Sequence, residues 1–451
     1  MCDAHPNILY LHSHDSGRLF SPFGGPVSTP NLQALADQGV CYRNAFCVGP
    51  TCSPSRAALL TGQYPHQVGQ WGLSNFGYPL GKPERHLVKF LQSHGYRAAL
   101  MGVQHVTADE RDLGYNDVRS EVIGGATGRC DPAMSAPRVA EAACDWLVQH
   151  GRGTAPWFLD VGMVETHTNA AKQIQPDRKP SDQKIDRATP PYWLQNTIGS
   201  RRWQANFDAM AAMLDDAIGR VLARLDALGL REKTLVIYTT DHGPGVPMAK
   251  CTLTDAGLGV GLIASGAGSY IGGQTVHGPI SHLDVFPTIC RVANLETPDH
   301  LEGQPLPTEA CLDDAPRSLF AEINVHGRSG RQPERSVRHG RFKLVRRFYT
   351  DPSKISQNAD PSGVKDDMFE AGWPTATTQG QASREDVFDS LYDLRLDPTE
   401  RRDRSGDTAY AEVYADLDRR LTSWMQRTDD ALRPGGPGIP QPQPIPTLAP
   451  V

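Results

Sequence analysis

Two histidine–aspartate pairs and one cysteine hold the residue types in this chain most able to do chemistry. His14-Asp15 and Asp241-His242 each set a carboxylate beside an imidazole, and each follows a short apolar run, Asn7–Leu11 (NILYL) and Thr234–Thr239 (TLVIYT). Runs of this kind read as buried parallel strands. In open α/β sheets ligands gather beyond the carboxyl ends of such strands, so the two pairs are expected to meet although 226 residues separate Asp15 from Asp241. Cys52 lies in Thr51-Cys-Ser-Pro-Ser-Arg56, where a turn enters a helix. A thiol at a helix N-terminus is more acidic than usual and can act as a nucleophile. The other reading of the same residue is a buried structural cysteine.

Strands and helices must alternate to carry these groups. A Thr29-Pro30 start predicts a helix to Asp37, with Thr as N-cap and Pro in the first turn. Cys52–Thr61 and His86–Ser93 read as helices, the second stopped by Gly95. A strand follows over Arg97–Met101, a helix over Ala136–Gln149 and a strand over Trp157–Met163. The longest helix, Trp203–Leu228, repeats Met210, Met213, Leu214, Ile218, Val221, Leu222 and Leu225 at helical spacing and ends at Gly229. Leu262–Ala264 adds a strand and Asp284–Ala293 a helix. This alternation predicts an α/β domain built on a mostly parallel sheet over residues 1–315. From Pro316 the runs SLFAEI, RSVRHGRFKLVRR and SLYDLRLDP and a helix over Tyr410–Arg427 predict a smaller antiparallel sheet plus helix, residues 316–432. A long loop is expected over Asp351–Arg384 and an extended Pro/Gly-rich tail over residues 433–451.

A chain of 451 residues, 39% hydrophobic and 21% charged, has an ordinary soluble composition and buries a sizeable core. A net charge of −6 gives no basis for binding nucleic acid or an anionic membrane. The nine cysteines, at positions 2, 41, 47, 52, 130, 144, 251, 290 and 311, fit no zinc-ribbon spacing and read, Cys52 apart, as buried thiols of a reducing compartment. With no signal-peptide pattern and no apolar run of about 18 residues, the expected location is the cytoplasm.

Cys-x-Pro-x-Arg followed by Ala-x-x-x-Thr-Gly, here Cys52 to Gly62, resembles the sulfatase signature at every defining position. The resemblance runs over roughly residues 6–425. It implies an alkaline-phosphatase/sulfatase-like fold, a large sheet flanked by helices, and oxidation of Cys52 to formylglycine, whose hydrate supplies an oxygen nucleophile. It implies a metal held by His14, Asp15, Asp241, His242 and residue 52. The first position is usually Asp in the family and the fourth more often Asn. Calcium is the ion the family implies, whereas imidazole donors suit manganese or zinc. Arg56 resembles the arginine that holds the hydrate, and His105 the histidine of a Gly-Lys-x-His segment whose lysine is here Val103. His167 resembles the proton donor to the leaving group, and Lys250 a lysine that contacts the sulfate.

The segments Gln63–Leu73 and Phe320–His326 look most like the heparan N-sulfatase (sulfamidase) branch. They make Gln67, Glu322, His326 and, further on, Arg338 candidates for substrate contact. The expected activity is hydrolysis of a sulfate ester or sulfamate, of a small molecule or saccharide. A maturation enzyme that generates formylglycine is an implied partner, and a homo-oligomer is compatible. The His-bearing pairs and the missing lysine leave phosphonate monoester or phosphodiester hydrolysis as the alternative, and a non-catalytic binding protein as a third reading.

Overall fold

Apolar residues with strand periodicity build one wide sheet whose two faces are both covered. The computed structural model describes residues 5–107, 109–119, 135–168, 178–309, 317–326, 330–348, 362–371 and 387–443. Cys2, Cys130, Cys311 and most of the expected loop over Asp351–Arg384 lie outside these residues, as does the end of the tail. The strands are β1 (Asn7–Ser13), β2 (Val40–Tyr42), β3 (Ala45–Phe46), β4 (Arg97–Gly102), β5 (Asp117–Arg119), β6 (Trp157–Gly162), β7 (Thr234–Thr240), β8 (Gly259–Val260), β9 (Leu262–Gly266), β10 (Gln274–Val276), β11 (Ile280–Ser281), β12 (Ser318–His326), β13 (Gly330–His339), β14 (Phe342–Arg347) and β15 (Phe388–Asp393). The helices are α1 (Pro30–Gln38), α2 (Cys52–Thr61), α3 (Leu87–Ser93), α4 (Ala136–His150), α5 (Asp182–Arg187), α6 (Ile198–Ala227), α7 (Asp255–Leu258), α8 (Val285–Val292), α9 (Gly363–Glu370) and α10 (Ala411–Arg427).

The main sheet has the order β10-β2-β9-β7-β1-β6-β4-β5, and β9 alone runs against its neighbours. Side chains alternate across it. Ile8 and Tyr10 of β1 join Ala57, Leu60, Leu91 and Phe286 from α2, α3 and α8. Leu9 and Leu11 join Leu32, Trp146, Phe207 and Ile218 from α1, α4 and α6 on the other face. Burial on both faces explains why these strands read as near-continuous apolar runs.

A three-stranded sheet, β11-β3-β8, and a four-stranded antiparallel sheet, β12-β13-β14-β15, complete the chain. Leu417, Leu421 and Trp424 of α10 cover Val337, Leu344 and Leu391 of the four-stranded sheet, and the same cluster takes in Ala58 of α2. The mostly parallel central sheet and the smaller antiparallel sheet plus helix are thus present.

Three expectations need correction. The longest helix starts at Ile198, ahead of Trp203, because Thr197 and Ser200 form a reciprocal cap that extends it. The region read as one long loop contains α9, capped by Ser362 and buried through Val364 and Met368. Strands of two or three residues such as β2 and β3 were not expected; they are too short to show a period.

One buried carboxylate holds two helices together. Asp215 of α6 accepts from the backbone N–H groups of Asn31 (3.0 Å) and Leu32 (2.9 Å) and from the Asn31 amide (2.9 Å), at the N-terminus of α1. Those N–H groups have no partner within their own helix, and the helix dipole favours the negative charge. Asp215→Asn is therefore expected to cost on the order of 2–3 kcal/mol in urea-monitored unfolding. The exposed neighbour change Asp216→Asn is expected to stay within about 0.5 kcal/mol.

Candidate active site

Parallel pairing of β1 with β7 places Ser13 opposite Thr240, so the residues that follow the two strands emerge side by side. His14, Asp15, Asp241 and His242, with Cys52, bring one ligand atom each to within 4.8 Å of all the others, and all five are buried. Asp15 turns the chain at φ 55°, a left-handed conformation costly for a residue with a Cβ. Its N–H donates to Asp241 Oδ1 at 2.8 Å, and that oxygen also takes the His242 N–H at 2.9 Å.

The donor set fits a cation. His242 Nδ1 lies 2.8 Å from the carbonyl of Gly243. That carbonyl can only accept, so Nδ1 carries a proton and Nε2 is the ring nitrogen turned toward the cluster. Nε2 faces Asp15 Oδ1 at 3.3 Å, Asp241 Oδ2 at 3.7 Å and Cys52 Sγ at 3.5 Å. His14 Nδ1 lies 2.7 Å from Asp15 Oδ1 and 3.2 Å from Asp241 Oδ2. Burial pushes the His14 pKa down to about 4, so the ring is neutral at neutral pH. Burial alone would raise the two carboxyls. At Asp15 the charges of Lys250, His167, His242 and His14 outweigh it, and at Asp241 those of His14, His242 and Arg56, leaving both well below the usual carboxylate range. The carboxylates of Asp15 and Asp241 repel each other, and a divalent cation among these side chains would offset that repulsion.

Cys52 is the first residue of α2, a helix buried at every position and ended by Gly62, which takes φ 66° and donates to the carbonyl of Ala58. The glycine of the Thr-Gly motif is therefore a left-handed helix stop. Arg56, one turn in, donates from Nη2 to Asp241 Oδ2 at 3.1 Å and Ser55 from its hydroxyl to the Asp241 carbonyl at 2.5 Å. Lys250 Nζ lies 2.9 Å from Asp15 Oδ2. His167 Nε2 is 3.8 Å from the same oxygen, and its ring meets that of His14 edge-on at 4.8 Å. His105 also has a left-handed backbone, φ 57°. Its two ring nitrogens are buried and have no hydrogen-bond partner among the described residues. Burial, reinforced by His14, Arg56, His167 and Lys250, depresses its pKa well below the usual range. Val103, where the resemblance leads one to expect lysine, is buried and bonds through its N–H to Gly162.

The expected substrate contacts are used inside the protein. Gln67 accepts from the Tyr64 N–H (2.9 Å) and donates to Glu302 (2.7 Å). Glu322 is buried, accepts from the His66 N–H at 2.8 Å and pairs with its ring. Arg338 pairs with Asp255 at 2.6 Å and lies over the Phe46 ring. His326 is buried at the end of β12.

Three further residues reach the site and escaped the sequence reading. His12 Nδ1 lies 2.6 Å from Arg56 Nη1, His12 Nε2 lies 2.8 Å from Asp160, and Tyr115 donates to Asp160 at 2.6 Å. The available signal was a histidine and an aspartate inside otherwise apolar strands.

The family model named Sulfatase matches residues 6–295. Human N-sulphoglucosamine sulphohydrolase is 27% identical over 472 aligned residues, which cover 95% of this chain and 92% of the relative. A solved structure in complex with its substrate D-glucosamine-2-N,6-O-disulfate superposes with a TM-score of 0.69 at 16% identity, covering 94% of this chain and 98% of the other. A phosphonate monoester hydrolase from Silicibacter pomeroyi gives a TM-score of 0.66 at 21% identity, over 94% of this chain and 96% of the other. At these identities the two structures speak to the fold.

The cluster predicts metal-dependent stability. Chelator-treated protein is expected to gain about 2.7 kcal/mol when a divalent ion is added at a hundred times its dissociation constant. The gain is read as a raised unfolding midpoint by calorimetry, and Asp241→Asn is expected to abolish it. An unchanged midpoint across calcium, magnesium, manganese and zinc refutes the site.

Proposed function

This chain belongs to the sulfatase family, and from that premise we propose that it hydrolyses a sulfated saccharide at an S–N or S–O bond, using formylglycine formed from Cys52. The observation that carries the proposal is the convergence of His14, Asp15, Asp241 and His242 on the residue 52 side chain. The Cys52 thiol stands here for the hydroxyl oxygens of a hydrated formylglycine.

A divalent cation held by His14, Asp15, Asp241 and His242 would acidify that hydrate and neutralise charge on the sulfuryl oxygens. Two imidazole donors favour manganese or zinc over the calcium that an all-oxygen set selects. Arg56 fixes the hydrate, since a guanidinium stays charged while stabilising an alkoxide. One hydrate oxygen, its proton released to solvent, attacks sulfur in line, and the bond from sulfur to the leaving nitrogen or oxygen breaks. His167, a part-exposed imidazole, protonates the leaving atom, while Lys250 offsets charge on the sulfuryl oxygens. His105 then takes the proton of the remaining hydroxyl. The C–O bond to the sulfate breaks, inorganic sulfate departs and the aldehyde returns, to be rehydrated by water. The depressed pKa of His105 keeps the ring neutral before this step.

N-sulfated glucosamine is the first substrate to assay, because the human relative carries that activity in its name. The sequence run Gln63–Leu73 points the same way. A formylglycine-generating enzyme is the partner this route requires. Among the described residues no helix is long and apolar enough to cross a membrane.

Mass spectrometry of the peptide containing residue 52, from protein co-produced with a maturation enzyme, is expected to find the aldehyde. Cys52→Ala is expected to lower turnover by roughly a thousandfold or more. An unmodified thiol with full activity refutes the mechanism. Faster turnover of an aryl phosphonate than of glucosamine N-sulfate or an aryl sulfate moves the substrate assignment to phosphorus.

A further inference from the structure

Arg56 is buried and charged, and one of its two terminal nitrogens is held by a residue outside the metal cluster. We propose that His12 is a positioning residue for Arg56, presenting a neutral Nδ1 lone pair to the guanidinium and locked in that tautomer by Asp160 and Tyr115. The proposal rests on the reading of Arg56 as the group that fixes the residue 52 hydrate.

Strand parity and register assemble the unit. Tyr10 and His12 are two apart on β1 and so share a face, the face against which α2 packs through Ala57 and Leu60. The parallel pairing of β1 with β6 sets Tyr10 opposite Asp160 and His12 opposite Gly162. Glycine there is required by space: a Cβ at position 162 would lie 2.5 Å from His12 Cε1 and 2.8 Å from His12 Nε2. The rings of Tyr10 and His12 stack with centroids 4.7 Å apart.

The hydrogen bonds then admit one arrangement of protons. A guanidinium only donates, so at 2.6 Å from Arg56 Nη1 the His12 Nδ1 must accept. The proton of the neutral ring is therefore on Nε2 and goes to Asp160 Oδ1 at 2.8 Å. Asp160 Oδ2 takes the Tyr115 hydroxyl at 2.6 Å. On its other side Arg56 donates from Nη2 to Asp241 Oδ2 at 3.1 Å, while its Nε has no hydrogen-bond partner. Contacts at Nη1 and Nη2 thus fix the guanidinium plane. His12 and Asp160 are 3% and 0% exposed, and a pair of aliphatic side chains would fill the same space without burying polar groups. Core filling alone does not account for the pair.

The test compares His12→Phe, which keeps a ring and removes the acceptor, with His12→Asn, whose amide oxygen falls near the Nδ1 position. Rates are divided by the fraction of molecules bearing the aldehyde at residue 52, so that maturation is not counted as catalysis. His12→Phe is expected to lower kcat by roughly ten- to a hundredfold, with KM changed less than about threefold because the ground-state complex is not the target. His12→Asn is expected to recover most of that loss. A kcat for His12→Phe within about threefold of the parent, or no recovery in His12→Asn, overturns the proposal.

Arg56→Ala separates the two levels. Full activity in that variant overturns the reading of Arg56 and this one with it, whereas its loss beside an unaffected His12→Phe overturns the role of His12 alone. If His12→Phe does not fold, nitrogen NMR of histidine-labelled parent protein, assigned with His12→Asn, reads the tautomer directly. A proton on Nε2 is expected, and a proton on Nδ1 overturns the proposal.

Discussion

Two carboxylates that cannot leave the protein interior set the terms for the rest of the molecule. Asp15 and Asp241 follow adjacent parallel strands whose register is fixed by apolar side chains on both faces of the sheet. A slip of one residue would turn those side chains onto the wrong faces, so the carboxylates are held together by the same burial that stabilises the fold. Two buried anions this close are tolerated only beside matched charge. Arg56 answers Asp241 and Lys250 answers Asp15. One comes from a helix between β3 and β4 in the chain, the other from the loop after β7. The left-handed turns at Asp15 and His105 show the backbone bent to serve the site.

Helix α2 connects this centre to the C-terminal sheet. Ala57 and Leu60 pack on the main sheet, and Ala58 packs in the cluster of Val337, Leu344 and Trp424. The second sheet therefore clamps the helix that presents residue 52. The turn after α2 is tied to β12 by Glu322, which takes the backbone and ring of His66. Arg335 of β13 pairs with Asp430 beside it. Glu322 and Gln67 do their work at this seam, where a loose contact would tilt the helix and move residue 52.

How much of this the sequence discloses depends on the range of the interaction. Helix and strand positions follow from local periodicity, and β1, α2, β7 and α6 were readable within a few residues. The meeting of His14-Asp15 with Asp241-His242 was readable because strand ends share one edge of a parallel sheet. The partner of His12 was not. Asp160 becomes its neighbour only through the β1–β6 register, and the apolar residues beside each give no hint of which strands pair. The same limit applies to Glu322. Its chemistry suits a substrate contact, and only the placement of β12 against the 63–69 turn commits it to His66. Short strands such as β2 and β10 exist because β9 and each other supply their hydrogen bonds, a cause with no trace in local sequence.

Charge balance gives a divalent cation a place in the proposed reaction. Asp15 and Asp241 are ionised, Arg56 is charged, and Lys250 is paired with Asp15 at 2.9 Å. His14 and His105 are depressed into neutrality by burial. Arg56 and Lys250 offset the two carboxylates they pair with, and Val103 adds nothing where a lysine would have added one more charge. Desolvating an anionic sulfuryl group beside them is costly without further positive charge. A divalent ion among the two carboxylates would supply it. The same ion would relieve the repulsion between the carboxylate oxygens of Asp15 and Asp241. Folded geometry and substrate charge thus place the same demand on one position, and His14 stands beside it without the negative charge that an aspartate would bring.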